Sequence, residues 1–308
     1  IGGMCLGGLT TGYANVALGK YTMYTSTGGY RNTALGTESL YSGNTADCVA
    51  VGYRALYSNT SNSMTAVGYH ALRHNSSGHQ NTAIGMRSME ANTTGGRNVA
   101  VGYDSLKTCT SGDMNTAIGN ESLQDLTTSD HNTAIGFYSG LNLTTGAWNT
   151  FIGSQVAQSL TTGTSNVAIG HEAMLNNNGS HNIAIGKRTL YDNATTGIIA
   201  IGQNTLEKCN TNYNVAIGYY SQSVNNTGAR NTSVGSESMR NNTTGYGNTA
   251  IGHQTMYYNV TGQDNIAIGD RALRTVNNHY NVAIGPMCMY NTTGNSNIGM
   301  GWNTMYAN

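Results

Sequence analysis

Apolar and polar residues recur along this chain at a fixed phase. The anchor is a pentad, Asn81-Thr82-Ala83-Ile84-Gly85, which returns at 115–119 and 132–136 and, with Val in place of Thr, at 166–170 and 281–285. Numbering each copy from its closing glycine as zero, position −1 is Ile, Val or Leu in every copy but the last, which has Met300. Position −3 is Thr, Val or Ile from Val16 to Ile298, and −2 is Ala except at Phe151, Ser233 and Gly299. β-Branched residues at alternate positions suit a pleated strand and disfavour a helix. After the glycine, +3 is small (Ser39, Ala55, Ser88, Ala173) and +4 is Leu or Met in sixteen of nineteen copies, the exceptions being Gly140, Ala157 and Gln222. Small and large residues side by side predict a second strand with period-2 alternation.

The closing glycines run Gly2, Gly19, Gly36, Gly52, Gly68, Gly85, Gly102, Gly119, Gly136 and Gly153. They continue through Gly170, Gly186, Gly202, Gly218, Gly235, Gly252, Gly269, Gly285 and Gly301, at intervals of 16 or 17 residues throughout. A fixed short period is the mark of a solenoid. The fold class expected is all-β: a parallel β-solenoid of about nineteen coils, with two short strands and two turns per coil, forming an elongated rod of roughly 90 Å at ~4.8 Å per coil. A three-sided β-helix is the alternative. The short turn falls at the motif glycine, where positive φ or a close backbone approach suits Gly. The long turn holds Asn/Thr/Gly clusters such as 92–95 and 242–245, and a one-residue deletion there accounts for the 16-residue coils.

Each coil presents two apolar stripes, one more than a thin roll can bury. A slim stripe joins −2 to +3; a bulky one joins −3 and −1 to +4. If the slim residues line the interior, the bulky stripe faces outward along every coil, a liability on a monomer. We favour that arrangement, with the outward stripe an interface between chains; the alternative places the bulky stripe inside.

Asn at −4 is a candidate amide ladder, each side chain bonding those above and below. Its members are Asn15, Asn32, Asn81, Asn98, Asn115, Asn132, Asn149, Asn166, Asn182, Asn214, Asn231, Asn248, Asn265, Asn281 and Asn297; Cys48, Met64 and Ile198 interrupt it. Asn-x-Ser/Thr occurs at Asn59, Asn75, Asn92, Asn120, Asn142, Asn178, Asn193, Asn225, Asn231, Asn241, Asn242, Asn259 and Asn291. These are N-glycosylation acceptors in a secreted chain, although an Asn-Thr-Thr-Gly turn generates such triplets automatically.

Composition removes other function classes. Charged residues are 9% of the chain and the formal net charge is zero, with no basic run, so a nucleic-acid footprint is absent. No apolar stretch approaches the ~18 residues of a membrane-spanning helix. Five cysteines (Cys5, Cys48, Cys109, Cys209 and Cys288) lie at least two coils apart, beyond the ~7 Å Cα reach of a disulfide. No catalytic constellation, metal-ligand cluster or phosphate loop recurs at constant phase, so neither an enzyme nor a cofactor is expected. Threonine at −3 raises an ice-binding face, but Val and Ile interrupt the array. Twenty Tyr, several at +1, offer either a sugar-stacking surface or an outward ladder.

The Asn-Thr-Ala-Ile-Gly and Asn-Val-Ala-Ile-Gly repeats resemble the head-domain repeat of YadA-like trimeric autotransporter adhesins. The longer phrase running from Asn81 to the turn at 92–95 is similar to arrays in tail-fibre-like proteins of phages and large algal viruses. The resemblance implies a left-handed parallel β-roll, three chains side by side, and a role in surface attachment, although the coils here are longer than those of the adhesin heads. The chain runs from Ile1 to Asn308 in mid-repeat without capping coils, so we read 1–308 as a single uncapped array, a segment of a longer fibre. The function expected is a non-enzymatic extracellular structural fibre at a cell or virion surface. It would self-associate as a homo-oligomer (a trimer first) or as an end-to-end filament. A shaft that binds a host glycan or protein, and an ice-binding solenoid, are the alternatives.

Overall fold

The computed structural model describes residues 3–192, 195–275 and 277–306. Its 18 strands are each three residues long and fall at positions −3 to −1 of the repeat. The chain divides into two compact units, 1–155 and 156–308. The first holds nine strands, from β1 (Val16–Leu18) to β9 (Thr150–Ile152), and the second nine more, from β10 (Val167–Ile169) to β18 (Ile298–Met300). Within each unit successive strands pair in parallel and in register, so that Thr116, Ala117 and Ile118 lie beside Thr133, Ala134 and Ile135. Each unit is therefore a parallel β-solenoid. The motif glycine Gly2 lies outside the described residues.

Only one strand forms per coil, not two. The second half-coil is a run of turns in which the +2 and +4 residues take positive φ, as at Arg87 (55°) and Met89 (51°). The −5 residue does the same, as at Gln80 (55°). A non-glycine residue in this region costs roughly 1–2 kcal/mol. Most coils carry three, so stacking must hold them in place. The backbone bonds alternate in direction: the Arg87 N–H donates to Tyr69 of the coil before (2.8 Å), and the Met89 N–H to Ser105 of the coil after (3.0 Å).

Those left-handed residues correct the assignment of +4. In a strand, +3 and +4 would point to opposite faces. Here both are buried, as Ser88 with Met89 and Ser105 with Leu106. The interior is lined by −4, −2, +3, +4 and +7, and only −3 and −1 of the bulky stripe face outward. Small residues at +3 have a second purpose. Ser88, Ser105 and Ser122 donate their hydroxyls to the −2 carbonyl of the next coil at 2.9–3.0 Å, and Thr22 and Thr255 donate to the next motif glycine.

The motif glycines from Gly19 to Gly301 all have φ between 115° and 142°. A Cβ on Gly85 would lie 2.2 Å from the Gly102 carbonyl oxygen, so the stacked short turns approach too closely for any side chain.

The slim interior sets a first expectation. Ala117 is fully buried between stacked Ala residues, so Ala117→Leu should destabilise the first unit by ~1–3 kcal/mol through overpacking. Urea unfolding followed by circular dichroism measures it. An unchanged midpoint would mean that the −2 face is not the interior.

The 16-residue coils are short by one residue in the long turn, and an Asn side chain replaces what is lost. In 17-residue coils one turn carbonyl accepts two N–H groups, as Thr110 O does from Thr93 (2.9 Å) and Thr94 (3.0 Å). In shorter coils an Asn Oδ1 takes that role: Asn44 accepts from Thr27 (2.7 Å) and Gly28 (2.8 Å), and Asn178 from Thr161 (2.9 Å) and Thr162 (3.3 Å). Both donors stay satisfied, which is why the period can vary without breaking the stack.

Candidate functional site: the outward strand face

Across all 18 strands, −3 and −1 carry only Thr, Val, Ile, Leu or Met, with no charge at any of these positions. From the second strand on, each alternates an outward, a buried and an outward residue. The central residue is buried in every strand but the first, while Ile118 remains 37% and Ile251 40% exposed. The result in each unit is a flat, β-branched face running from coil to coil. Exposed aromatic and sulfur side chains at +1, including Tyr53, Tyr69, Met86, Tyr103 and Phe137, border it on the short-turn side.

Charge sits elsewhere, mainly at +2 and +5. There it is paired between coils or within one: Arg54–Glu38 (2.6 Å), Arg87–Asp104 (2.7 Å), Arg188–Glu207 (3.0 Å) and Arg240–Glu237 (2.7 Å). Rings stack in the same columns, with Tyr41 over Tyr57 at 5.0 Å and Arg274 between Tyr257 (5.2 Å) and Tyr290 (5.6 Å). Some tyrosines thus form outward ladders. Within this set His70 is nearly buried against Tyr69 (3.9 Å), its Nδ1 3.1 Å from Glu90, and burial pushes its pKa below the ordinary histidine value. Near the outward face, at −5, an exposed pair joins Arg31 to Asp47 through two 2.7 Å bonds, which hold the Asp47 carboxyl below the usual range.

The −4 asparagines are buried from Asn32 to Asn281; Asn15 and Asn297 are half-buried. Their commonest bonds differ from a plain side-chain ladder. Asn81 Oδ1 accepts the backbone N–H of Asn98 (2.8 Å), and Asn81 Nδ2 donates to the turn carbonyl of Gly95 (2.7 Å). Direct side-chain bonds add to this in some coils, as from Asn132 to Asn115 (3.2 Å) and Asn265 to Asn248 (3.0 Å). At the interruptions, Cys48 and Ile198 still donate their N–H to Asn32 and Asn182, and Met64 Sδ accepts from Asn81 at 3.4 Å. Asn98→Ala removes an acceptor and a donor from a fully buried site, so a loss of ~2–6 kcal/mol is expected, at ~1–3 kcal/mol per unsatisfied group. Urea unfolding tests it; a loss below half a kilocalorie would refute a structural role for the column.

A tighter side-chain ladder lies at +7. Asn92 Nδ2 donates to Asn75 Oδ1, and Asn75 Nδ2 to Asn59 Oδ1, both at 2.7 Å. It ends where Cys109 and then Leu126 take the same phase, and Asn92 Oδ1 has no partner. The sequence signal for this column is the asparagine of the Asn-x-Ser/Thr triplets. Seven of those residues (Asn59, Asn75, Asn92, Asn225, Asn231, Asn242 and Asn259) are buried, so a folded coil gives a glycosyltransferase no access to them. Asn120, Asn142 and Asn241 are half-buried and Asn178 and Asn291 exposed, while Asn193 lies outside the described residues.

Cys48, Cys109, Cys209 and Cys288 are buried, and burial pushes the Cys109 thiol up to about 11. Among the described residues no disulfide forms and no three His, Cys, Asp or Glu side chains gather as a metal site. No helix there is long and apolar enough to cross a membrane. No protein-family model matches the chain, and no curated protein does.

Proposed function

We propose that the chain is a non-enzymatic structural segment of an extracellular fibre, at a cell or virion surface, and that it binds further copies of itself through the outward strand face. One observation carries this reading: −3 and −1 hold an uncharged, mainly β-branched column in every coil, while charges are confined to other phases. In the first unit, nine strands at ~4.8 Å and a width of about 13 Å from −3 to +1 give a face of roughly 550 Å². Two such faces bury roughly 1,100 Å² together, above the ~1,000 Å² that a specific interface needs. The fibre reading and its surface location draw further support from the resemblance of the pentad to adhesin-head and tail-fibre repeats, which also favours three chains.

Cysteine cross-linking tests which face is used. In a Cys5→Ser background, Thr116→Cys on the outward face should give a disulfide-linked product under mild oxidation. Glu121→Cys, at +2, should not. Equal cross-linking at both positions, or none at Thr116→Cys, would refute the assignment.

A further inference from the structure

We infer that a hollow on the long-turn edge of the second unit binds a pyranose that carries a carboxylate, a uronic acid residue. The hollow measures about 500 Å³ and is lined by Tyr213, Tyr246 and Arg230, with Asn210 and Asn212 among its polar groups. That volume falls within the range of small-molecule sites, ~300–1,000 Å³.

Two local departures from the repeat produce it. Residues 210–212 belong to a 16-residue coil and 227–230 to the 17-residue coil that follows, so the long-turn edge steps between them. In addition, four successive −5 positions are Gly197, Tyr213, Arg230 and Gly247, so the two long side chains have no side chain at either flank. The Tyr213 ring lies across Gly197, where a Cβ would come within 3.1 Å of it. Tyr213 is 64% and Tyr246 43% exposed, so both rings are reachable.

The chemistry of the lining selects the ligand class. Arg230 has no side-chain hydrogen bond, ion pair or ring contact among the described residues, unlike Arg188 and Arg240 of the same unit, which are paired with carboxylates. A guanidinium left open in a hollow matches a carboxylate in fork geometry. The tyrosine rings offer apolar faces to ring C–H groups, with polar tips beside them. Asn212 Oδ1 is taken by the Thr196 N–H (2.8 Å), which leaves its Nδ2 to donate to a ring hydroxyl. A sugar acid satisfies all three at once; a free carboxylate or a neutral sugar satisfies only part. The hollow lies at a different phase from the outward strand face, so it stands or falls independently of self-association.

The test is a titration of the full chain with galacturonate, with galactose and acetate as partial probes, followed by NMR or calorimetry. Galacturonate should saturate with Kd of roughly 1 mM, with galactose and acetate each at least about tenfold weaker. Tyr213→Ala and Arg230→Ala should each weaken galacturonate by at least about tenfold, with circular dichroism unchanged because both residues are exposed. Arg230→Lys, which keeps the charge and loses the fork, should fall between wild type and Arg230→Ala. The inference is overturned by any of three results: no saturation by about 50 mM galacturonate, acetate binding as tightly as galacturonate, or wild-type affinity in both alanine variants.

Discussion

Phe151→Ala should destabilise the first unit by ~3–5 kcal/mol, and Gly140→Leu by ~1–3 kcal/mol, yet the double variant should recover most of wild-type stability. Phe151 is the one aromatic residue at −2 and is fully buried in a column of alanines. It fits because the preceding coil has Gly140 where Leu or Met is usual at +4. A Cβ on Gly140 would lie 2.9 Å from Phe151 Cδ2. Removing the ring alone leaves a cavity, and adding leucine alone drives it into the ring. Together the changes restore the Ala-and-Leu pattern of neighbouring coils. Gly140 has φ of 63°, close to the 49° of Leu123 at the same phase, so leucine adds only the ~1–2 kcal/mol of left-handed strain that the other +4 residues already bear. Repeat arrays can unfold locally, so hydrogen exchange at residues 133–135 and 150–152 is the proper readout. Additive losses would show that the two positions do not share one space.

The second large effect concerns assembly, not folding. Replacing Ile84, Ile118 and Ile152 with lysine places three charges on alternate coils of the outward face. Each residue is already 37–40% exposed, so the ammonium groups stay in water in the isolated chain and the coils should still fold. In an assembled fibre the same groups would be desolvated against an apolar partner, at a cost of several kcal/mol in sum. Self-association should weaken by more than about 100-fold, with the circular dichroism spectrum retained. Charge reversal at Glu121 should leave association within about threefold of wild type, because +2 lies off that face. An unaltered assembly in the triple lysine variant would remove the outward face from the interface.

The period and the strand at −3 to −1 were legible in the sequence, because each depends on residue size and branching at a constant phase; the burial of the −2 alanine was the favoured of two arrangements, and the structure decides for it. The second half-coil was not. Its conformation turns on positive φ at residues such as Arg87, Met89 and Leu106, and nothing in a Met, Leu or Arg side chain advertises that region as Gly or Asn does. Period-2 reasoning therefore placed +4 outside when it lies inside. The exceptions held information that single positions do not show. Gly140 precedes Phe151 by eleven residues, and the other polar pair, Gln222 and Ser233, has the same spacing. Both are +4 and −2 of successive coils. Gln222 is fully buried and bonds to the Val215 carbonyl (3.3 Å), and Ser233 bonds to Ser221 and to the Ser238 carbonyl, so this pair replaces apolar packing by hydrogen bonds. The asparagines at +7 were likewise visible but belonged to triplets with a second meaning, and only their burial separates a ladder from a glycan acceptor.

The central claim is that the face formed by −3 and −1 is covered by another copy of the chain. The most direct test is the mass of the purified chain by light scattering across a micromolar concentration series. The account predicts a multiple of 32.5 kDa that falls toward 32.5 kDa in the triple lysine variant. A wild-type mass of 32.5 kDa at every concentration, with the fold intact, would contradict it.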